Sequence, residues 1–92
     1  MGKKRYYAKV TGRVQGVGYR YRTVMIAKEK DVTGWVRNCE DGSVELEAQG
    51  EESALEQFFE EIQKSNWFIR VKHCEKREIK IEQQEKGFRE RY

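Results

Sequence analysis

Four large apolar side chains, Leu55, Phe58, Phe59 and Ile62, stand at i, i+3, i+4 and i+7, among Glu56, Gln57, Glu60, Glu61 and Gln63. Only an amphipathic helix gathers that spacing into a single stripe, and the stripe must be covered. Ser53-Ala-Leu-Glu56 ahead of it reads as a capping box that starts the helix after Gly50 has ended a strand. The cover has to be economical. Of 92 residues, 37% are hydrophobic and 38% are charged, which supplies one thin core and no second one. A single domain over residues 1–92 is expected.

The remaining segments supply a sheet. Residues 5–13, RYYAKVTGR, are rich enough in β-branched and aromatic side chains for a strand. Gly12, Gly16 and Gly18 break regular structure at its end, and a helical stretch runs from about Arg20 to Lys30. Two faces compete there: Tyr19, Thr23, Ile26 and Ala27, or Tyr21, Val24 and Met25. The first is preferred because it pins the helix start through Tyr19. Residues 33–39 and 43–49 alternate around Glu40-Asp41-Gly42 as a hairpin. A two-residue turn would set Trp35 opposite Leu46, and a three-residue loop with left-handed Gly42 would set Val36 there. One residue of slip exchanges the faces, and the longer loop is favoured. A fourth strand is expected over 68–74, resuming at 78–81, with a short strand at 88–92. Strand, helix, strand, strand, helix, strand describes an α+β fold, a ferredoxin-like βαββαβ sandwich. An antiparallel sheet would carry both helices on one face.

Composition narrows the function. An aromatic fraction of 12% with periodic apolar residues is not that of a disordered chain. No apolar run approaches the roughly 20 residues of a membrane span, and the basic N-terminus lacks a signal peptide's apolar stretch. A soluble cytoplasmic protein is the simplest reading. Cys39 and Cys74 are too few for a disulfide scaffold and are read as thiols, although both fall in strand-like segments where pairing stays open. Charge is uneven: residues 1–28 hold eight basic and no acidic residues, residues 29–92 eleven basic and sixteen acidic. That polarity points to an anionic partner for the first segment. An exposed tail, Lys3-Lys4-Arg5, accounts for three of the eight and leaves Arg13, Arg20 and Arg22 unexplained.

Gly12-Arg-Val-Gln-Gly-Val-Gly-Tyr-Arg20 joins the first strand to the first helix. Glycines at 16 and 18 let the backbone turn several N–H groups toward one point, and the helix start adds free donors and a positive dipole end. Arginine is disfavoured in a first helical turn by about 0.3–1 kcal/mol, so Arg20 there suits an anion. A glycine-rich connection with solvated arginines is the plainer alternative. Nucleotide loops do not fit: G-x-x-x-x-G-K-[ST] is absent, and Tyr21 occupies the third glycine position of a dinucleotide loop. Neither cysteine is followed six positions on by arginine; Glu45 and Lys80 stand there. No aspartate pair has nucleophile–acid spacing, the lone His73 is distant, and no catalytic metal ligand set is visible. Phosphoryl chemistry here would use water directly.

Three segments together, Gly12 to Arg20, Thr33-Gly-Trp-Val-Arg-Asn38, and Asp41-Gly-Ser-Val-Glu45 with Gly50, resemble the acylphosphatase family over essentially the whole chain. The resemblance implies the ferredoxin-like fold, hydrolysis of acyl phosphates to carboxylate and phosphate, and no cofactor or metal. It casts Arg20 as the phosphate-binding arginine, Asn38 as the residue positioning water, and the backbone of Gln15, Gly16, Val17, Gly18 and Tyr19 as the cradle. The expected partner is a small-molecule acyl phosphate, without nucleic acid or membrane, and the expected state a monomer. Three places depart from the family's pattern. Tyr19 stands where phenylalanine is commoner, a change that matters little if its hydroxyl reaches solvent. Glu90 stands where an apolar residue is usual, and residues 67–72 lack the usual small residues and proline. Asn38 alone also reads as a turn-capping asparagine. Two rivals remain: an RNA-binding module on the same sandwich, whose basic-Gly-aromatic signature is missing, and a phosphate-sensing domain without turnover.

Overall fold

The computed structural model describes residues 2–92. Its elements are β1 (Lys3–Arg13), α1 (Tyr19–Lys30), β2 (Thr33–Asn38), β3 (Val44–Glu51), α2 (Glu52–Ile62), β4 (Arg70–Ile79) and β5 (Phe88–Arg91). One sheet holds all five strands in the order β4-β1-β3-β2-β5. Its first four strands pair antiparallel, with β3 inserted between β1 and β2, which is the split βαβ arrangement expected. Beyond them β5 joins β2 in parallel, so the complete sheet is mixed.

Strand alternation decides which side is covered. Ala8 and Val10 of β1, Val36 of β2, and Val44, Leu46 and Ala48 of β3 are buried in one cluster with the residues the helices contribute. From α2 come Leu55, Phe58, Phe59 and Ile62, the stripe that the spacing predicts. From α1 come Tyr19, Thr23 and Ala27, so the first of its two faces is the buried one, and Tyr21 and Met25 point outward. The hairpin takes the three-residue loop. Val36 faces Leu46, the Cys39 N–H donates to the Ser43 carbonyl at 2.8 Å, and Gly42 has a φ of 91°. Asp41 secures that loop by accepting the Ser43 N–H at 3.0 Å.

Several expectations are corrected. Gly50 does not end β3, because the strand continues to Glu51 and pairs Gly50 with Lys4. The capping box at Ser53 does not form. Glu51, extended at φ −63° and ψ 147°, is the N-cap, with no side-chain bond, and Ser53 already lies inside α2. The fourth strand is continuous from Arg70 and excludes Phe68, which is exposed. Arg5 is not part of a solvated tail. It is 1% exposed on the face away from the helices, where it meets Glu47 and Glu85, each at 2.8 Å.

Phe58 is the test of this core. It is fully buried, with ring centroids of Phe59 and Phe88 at 5.2 and 5.8 Å. Phe58→Ala is expected to lower unfolding free energy in urea by about 3–5 kcal/mol, and Met25→Ala by no more than about 0.5 kcal/mol.

Candidate functional site

The segment between β1 and α1 turns its backbone toward one point. Gly16 and Gly18 have φ of 74° and 82°, a region that costs side-chain-bearing residues about 1–2 kcal/mol. Gly18 is the N-cap of α1 and brings no side chain to cap it. The first helical bond runs from the Arg22 N–H to the Gly18 carbonyl at 3.0 Å. The N–H groups of Tyr19, Arg20 and Tyr21 therefore lack intrahelical acceptors. Among the described residues, no backbone carbonyl accepts any N–H from residues 16–21. The first turn also holds no acidic residue. This end of α1 is a cluster of donors with no acceptor of its own.

Over it lies a cavity of about 140 Å³, lined by Val14, Gly16, Gly18, Arg20, Asn38 and Glu90 among others. That is well below the roughly 300 Å³ at which drug-sized ligand sites begin, and suits a single tetrahedral anion. Asn38 enters from the last position of β2, on the helix-covered side with Val36. Its Oδ1 is buried without a hydrogen-bond partner, an acceptor aimed at something the protein does not supply.

Sequence reasoning named Gln15, Gly16, Val17, Gly18, Tyr19, Arg20 and Asn38. Of these, Gly16, Gly18, Tyr19, Arg20 and Asn38 line the one cavity. Gln15 flanks it and acts as a tether: its Nε2 donates to the carbonyls of Cys39 and Ser43, both at 2.7 Å, tying the loop to the hairpin. Val17 packs against the core, leaving its backbone for the cradle. Tyr19 does not meet the condition under which its hydroxyl would matter little. Its hydroxyl does not reach solvent but donates to the Ile62 carbonyl at 2.8 Å, and burial pushes its ionisation well above the ordinary tyrosine range. Its backbone thus faces the cavity while its ring anchors the loop to the end of α2.

The three arginines left unexplained by an N-terminal tail separate. Only Arg20 lines the cavity. Arg22 donates from Nη2 to the Ile62 carbonyl at 3.0 Å and lies over the Tyr19 ring at 5.2 Å. Arg13 is exposed at the end of β1. Val14, Tyr21 and Glu90 also line the cavity without having been named from the sequence, and of these Glu90 is the one that carries charge. The only signal was its departure from the apolar pattern, and its Oε1 lies 3.6 Å from Arg20 Nε. His73 is exposed on β4, and Cys39 and Cys74 are free thiols, that of Cys74 raised by burial. A larger cavity, about 340 Å³, opens on the other sheet face between Arg5, Trp35, Glu47, Glu82 and Glu85. Arg89 and Arg91 line it as well, against three glutamates; Arg5 is paired with Glu47 and Glu85, Arg91 lies over the Trp35 ring at 4.7 Å, and no helix start opens into it.

Comparison with known proteins identifies a family. The family model described as Acylphosphatase matches residues 6–90. The chain is 46% identical over 86 residues to an acylphosphatase of Clostridium acetobutylicum, covering 94% of each protein. It is 45% identical over 91 residues to one of Geobacillus thermodenitrificans, covering 97% of this chain and 95% of that protein. The crystal structure of acylphosphatase from Bacillus subtilis superposes with a TM-score of 0.91 at 37% identity, over 97% of this chain and 99% of that one.

If the unpaired donors form an anion site, inorganic phosphate should shift the amide resonances of residues 16–21 and the side-chain amide of Asn38. A ¹H–¹⁵N titration reads this, and residues 66–69, on the loop before β4, should stay in place.

Proposed function

The chain belongs to the acylphosphatase family and hydrolyses acyl phosphates to carboxylate and inorganic phosphate; from that premise we propose that Arg20, the 15–19 backbone and Asn38 carry out the reaction by direct attack of water. The observation that carries this assignment is one cavity holding free helix-start N–H groups, the Arg20 guanidinium and an unsatisfied Asn38 Oδ1.

The phosphoryl group sits on the cradle, its oxygens accepting N–H bonds from residues 16–19. Arg20 offers a planar fork to two of those oxygens. Asn38 accepts a hydrogen bond from a water and so holds the water's oxygen toward phosphorus. As the new P–O bond forms, the bond between phosphorus and the acyl oxygen breaks, and its electron pair leaves with the carboxylate. The water's proton passes to a phosphoryl oxygen. A carboxylate is a good leaving group, so positioning and charge stabilisation suffice, and no side chain has to act as acid, base or nucleophile. This reaction asks for no metal.

Further support bears on the setting. The free thiols fit a reducing compartment, and no helix among the described residues is long and apolar enough to cross a membrane. We read residues 1–92 as one cytoplasmic domain acting as a monomer on a small molecule. Against an RNA-binding role stands the open sheet face. There Tyr7 and Trp35, the aromatics a base would stack on, are covered by Arg77 at 4.8 Å and Arg91 at 4.7 Å. Glu45 and Glu47 add negative charge between them.

Benzoyl phosphate hydrolysis tests the assignment. Arg20→Ala should abolish measurable turnover. Asn38→Ala should lower kcat at least about a hundredfold, the loss of one preorganised group at about 2.7–4 kcal/mol, with phosphate inhibition largely kept. A chelator should leave the wild-type rate unchanged. Full activity in Arg20→Ala would overturn the mechanism.

A further inference from the structure

Glu90 breaks the logic of its strand. On β5, Phe88 turns toward the helix side and is buried against Phe58. Two residues on, Glu90 must face the same side. The register confirms it: Phe88 stands beside Gly34 and Glu90 beside Val36, whose side chain is fully buried. A carboxylate therefore reaches the covered face of the sheet, and there it lines the same cavity as Arg20 and Asn38.

Its partner is the guanidinium. Glu90 Oε1 lies 3.6 Å from Arg20 Nε, an ion pair slightly too long for a hydrogen bond. The same strand end holds Arg20 twice more. Nη1 donates to the Arg91 carbonyl at 3.3 Å, and the guanidinium lies 4.9 Å from the centroid of the Tyr92 ring. The carbonyl and the ring orient the guanidinium without adding charge. Glu90 places a negative charge on the Nε edge, one of the positions from which an arginine grips a phosphate. A second anion entering the cavity meets that charge at close range.

We propose that Glu90 sets the anion affinity of this site, its carboxylate holding the Nε edge of Arg20 until a phosphoryl group displaces it. The inference rests on the reading of Arg20 as the phosphate-binding residue. In this arrangement substrate and product are weakened alike, because both present the same dianionic group to the same guanidinium. Phosphate, which has no acyl group to add contacts, leaves readily, and the resting site keeps its arginine compensated. Glu90 makes and breaks no bond.

The experiment compares Glu90→Gln and Glu90→Ile with wild type, following KM and kcat on benzoyl phosphate and the inhibition constant of inorganic phosphate. Both variants should lower KM and the phosphate constant together, by about tenfold for removing one adjacent like charge, with kcat changing less than KM. The glutamine keeps size and polarity and the isoleucine keeps neither, so agreement between them isolates charge; circular dichroism confirms that both fold. In an Arg20→Ala background, Glu90→Gln should produce no such tightening. Unchanged or weaker phosphate binding in both variants overturns the proposal, as does a fall in kcat at constant phosphate affinity, which would make the carboxylate a base. If Arg20→Ala alone leaves phosphate affinity intact, the anion-site reading itself fails. That result is distinct from failure of the Glu90 variants in a protein whose Arg20 behaves as expected.

Discussion

The rest of the site depends on a helix that begins without a cap. Ser, Thr, Asp or Asn at that position contributes about 0.5–2 kcal/mol by accepting one of the free N–H bonds, and an acid in the first turn adds about 0.3–1 kcal/mol. Here α1 starts from Gly18, with no side-chain bond and no acid in its first turn, and with Arg20 in it. Both stabilising terms are forgone at one point. At its other end the same helix is conventional, with Lys28 and Lys30 in the last turn and Asp31 closing it by donating its N–H to the Ala27 and Lys28 carbonyls. The asymmetry leaves the N-terminal donors without an acceptor.

Donors left open need a rigid frame, or the chain would fold back and satisfy them. Three side chains supply it. Gln15 clamps the loop to the hairpin, the Tyr19 hydroxyl clamps it to the end of α2, and Thr23 Oγ1 donates to the Tyr19 carbonyl at 2.9 Å. The opposite wall is held from the far side of the sheet. Arg5 donates to Glu85 at 2.8 and 3.2 Å and to Gln49 at 3.1 Å. Gln49 in turn exchanges two bonds with the backbone of Glu82, at 3.0 and 2.8 Å. The connection from β4 to β5 is thereby fastened across the open face, which delivers Glu90 and the Arg91 carbonyl to Arg20. Burial works against the charge of Arg5, but its bonds to Glu85 and Glu47 outweigh it and raise the pKa above arginine's usual value. A buried charge is tolerable only when partnered this fully, so loss of Glu85 would disturb the active side of the sheet from the face behind it.

The features readable in the sequence rest on short-range rules. The α2 stripe was legible because helical periodicity is local; the hairpin was legible from its alternation, while its register stood open between two loops, of which the longer, favoured because it turns Val36 to the core, is the one found. The glycine cradle was legible because its conformational demand shows in residue type. The misreadings came from contacts distant in sequence. Ser53 has the chemistry of a cap, but the strand, paired through Lys3 and Glu51, passes directly into α2 at Glu52 and leaves Ser53 inside the first turn. Arg5 reads as a tail because nothing local marks Glu85, eighty positions on, as its partner. Arg20 and Arg22 look equivalent on paper; two residues on a helix differ by about 200°, so one meets the cavity and the other the end of α2. Glu90 reads as an irregular edge until Arg20 is seen beside it.

The proposed mechanism also limits which phosphate compounds the cavity would split. Apart from Arg20, its ionisable lining residues are Tyr19, Tyr21 and Glu90. The Tyr19 hydroxyl is spent on Ile62 and its ionisation is raised, and Glu90 is drawn to the guanidinium. In the proposed mechanism no side chain protonates the departing oxygen, so the leaving group must be stable as the anion it leaves as. A carboxylate, whose acid has a pKa near 4, meets that condition, whereas the alkoxide of a serine or sugar phosphate does not. Selection for acyl phosphates therefore needs no pocket for the acyl chain. A cradle that stabilises the phosphoryl group and offers the leaving group nothing discriminates through the bond itself, and a cavity of about 140 Å³ is large enough to do it.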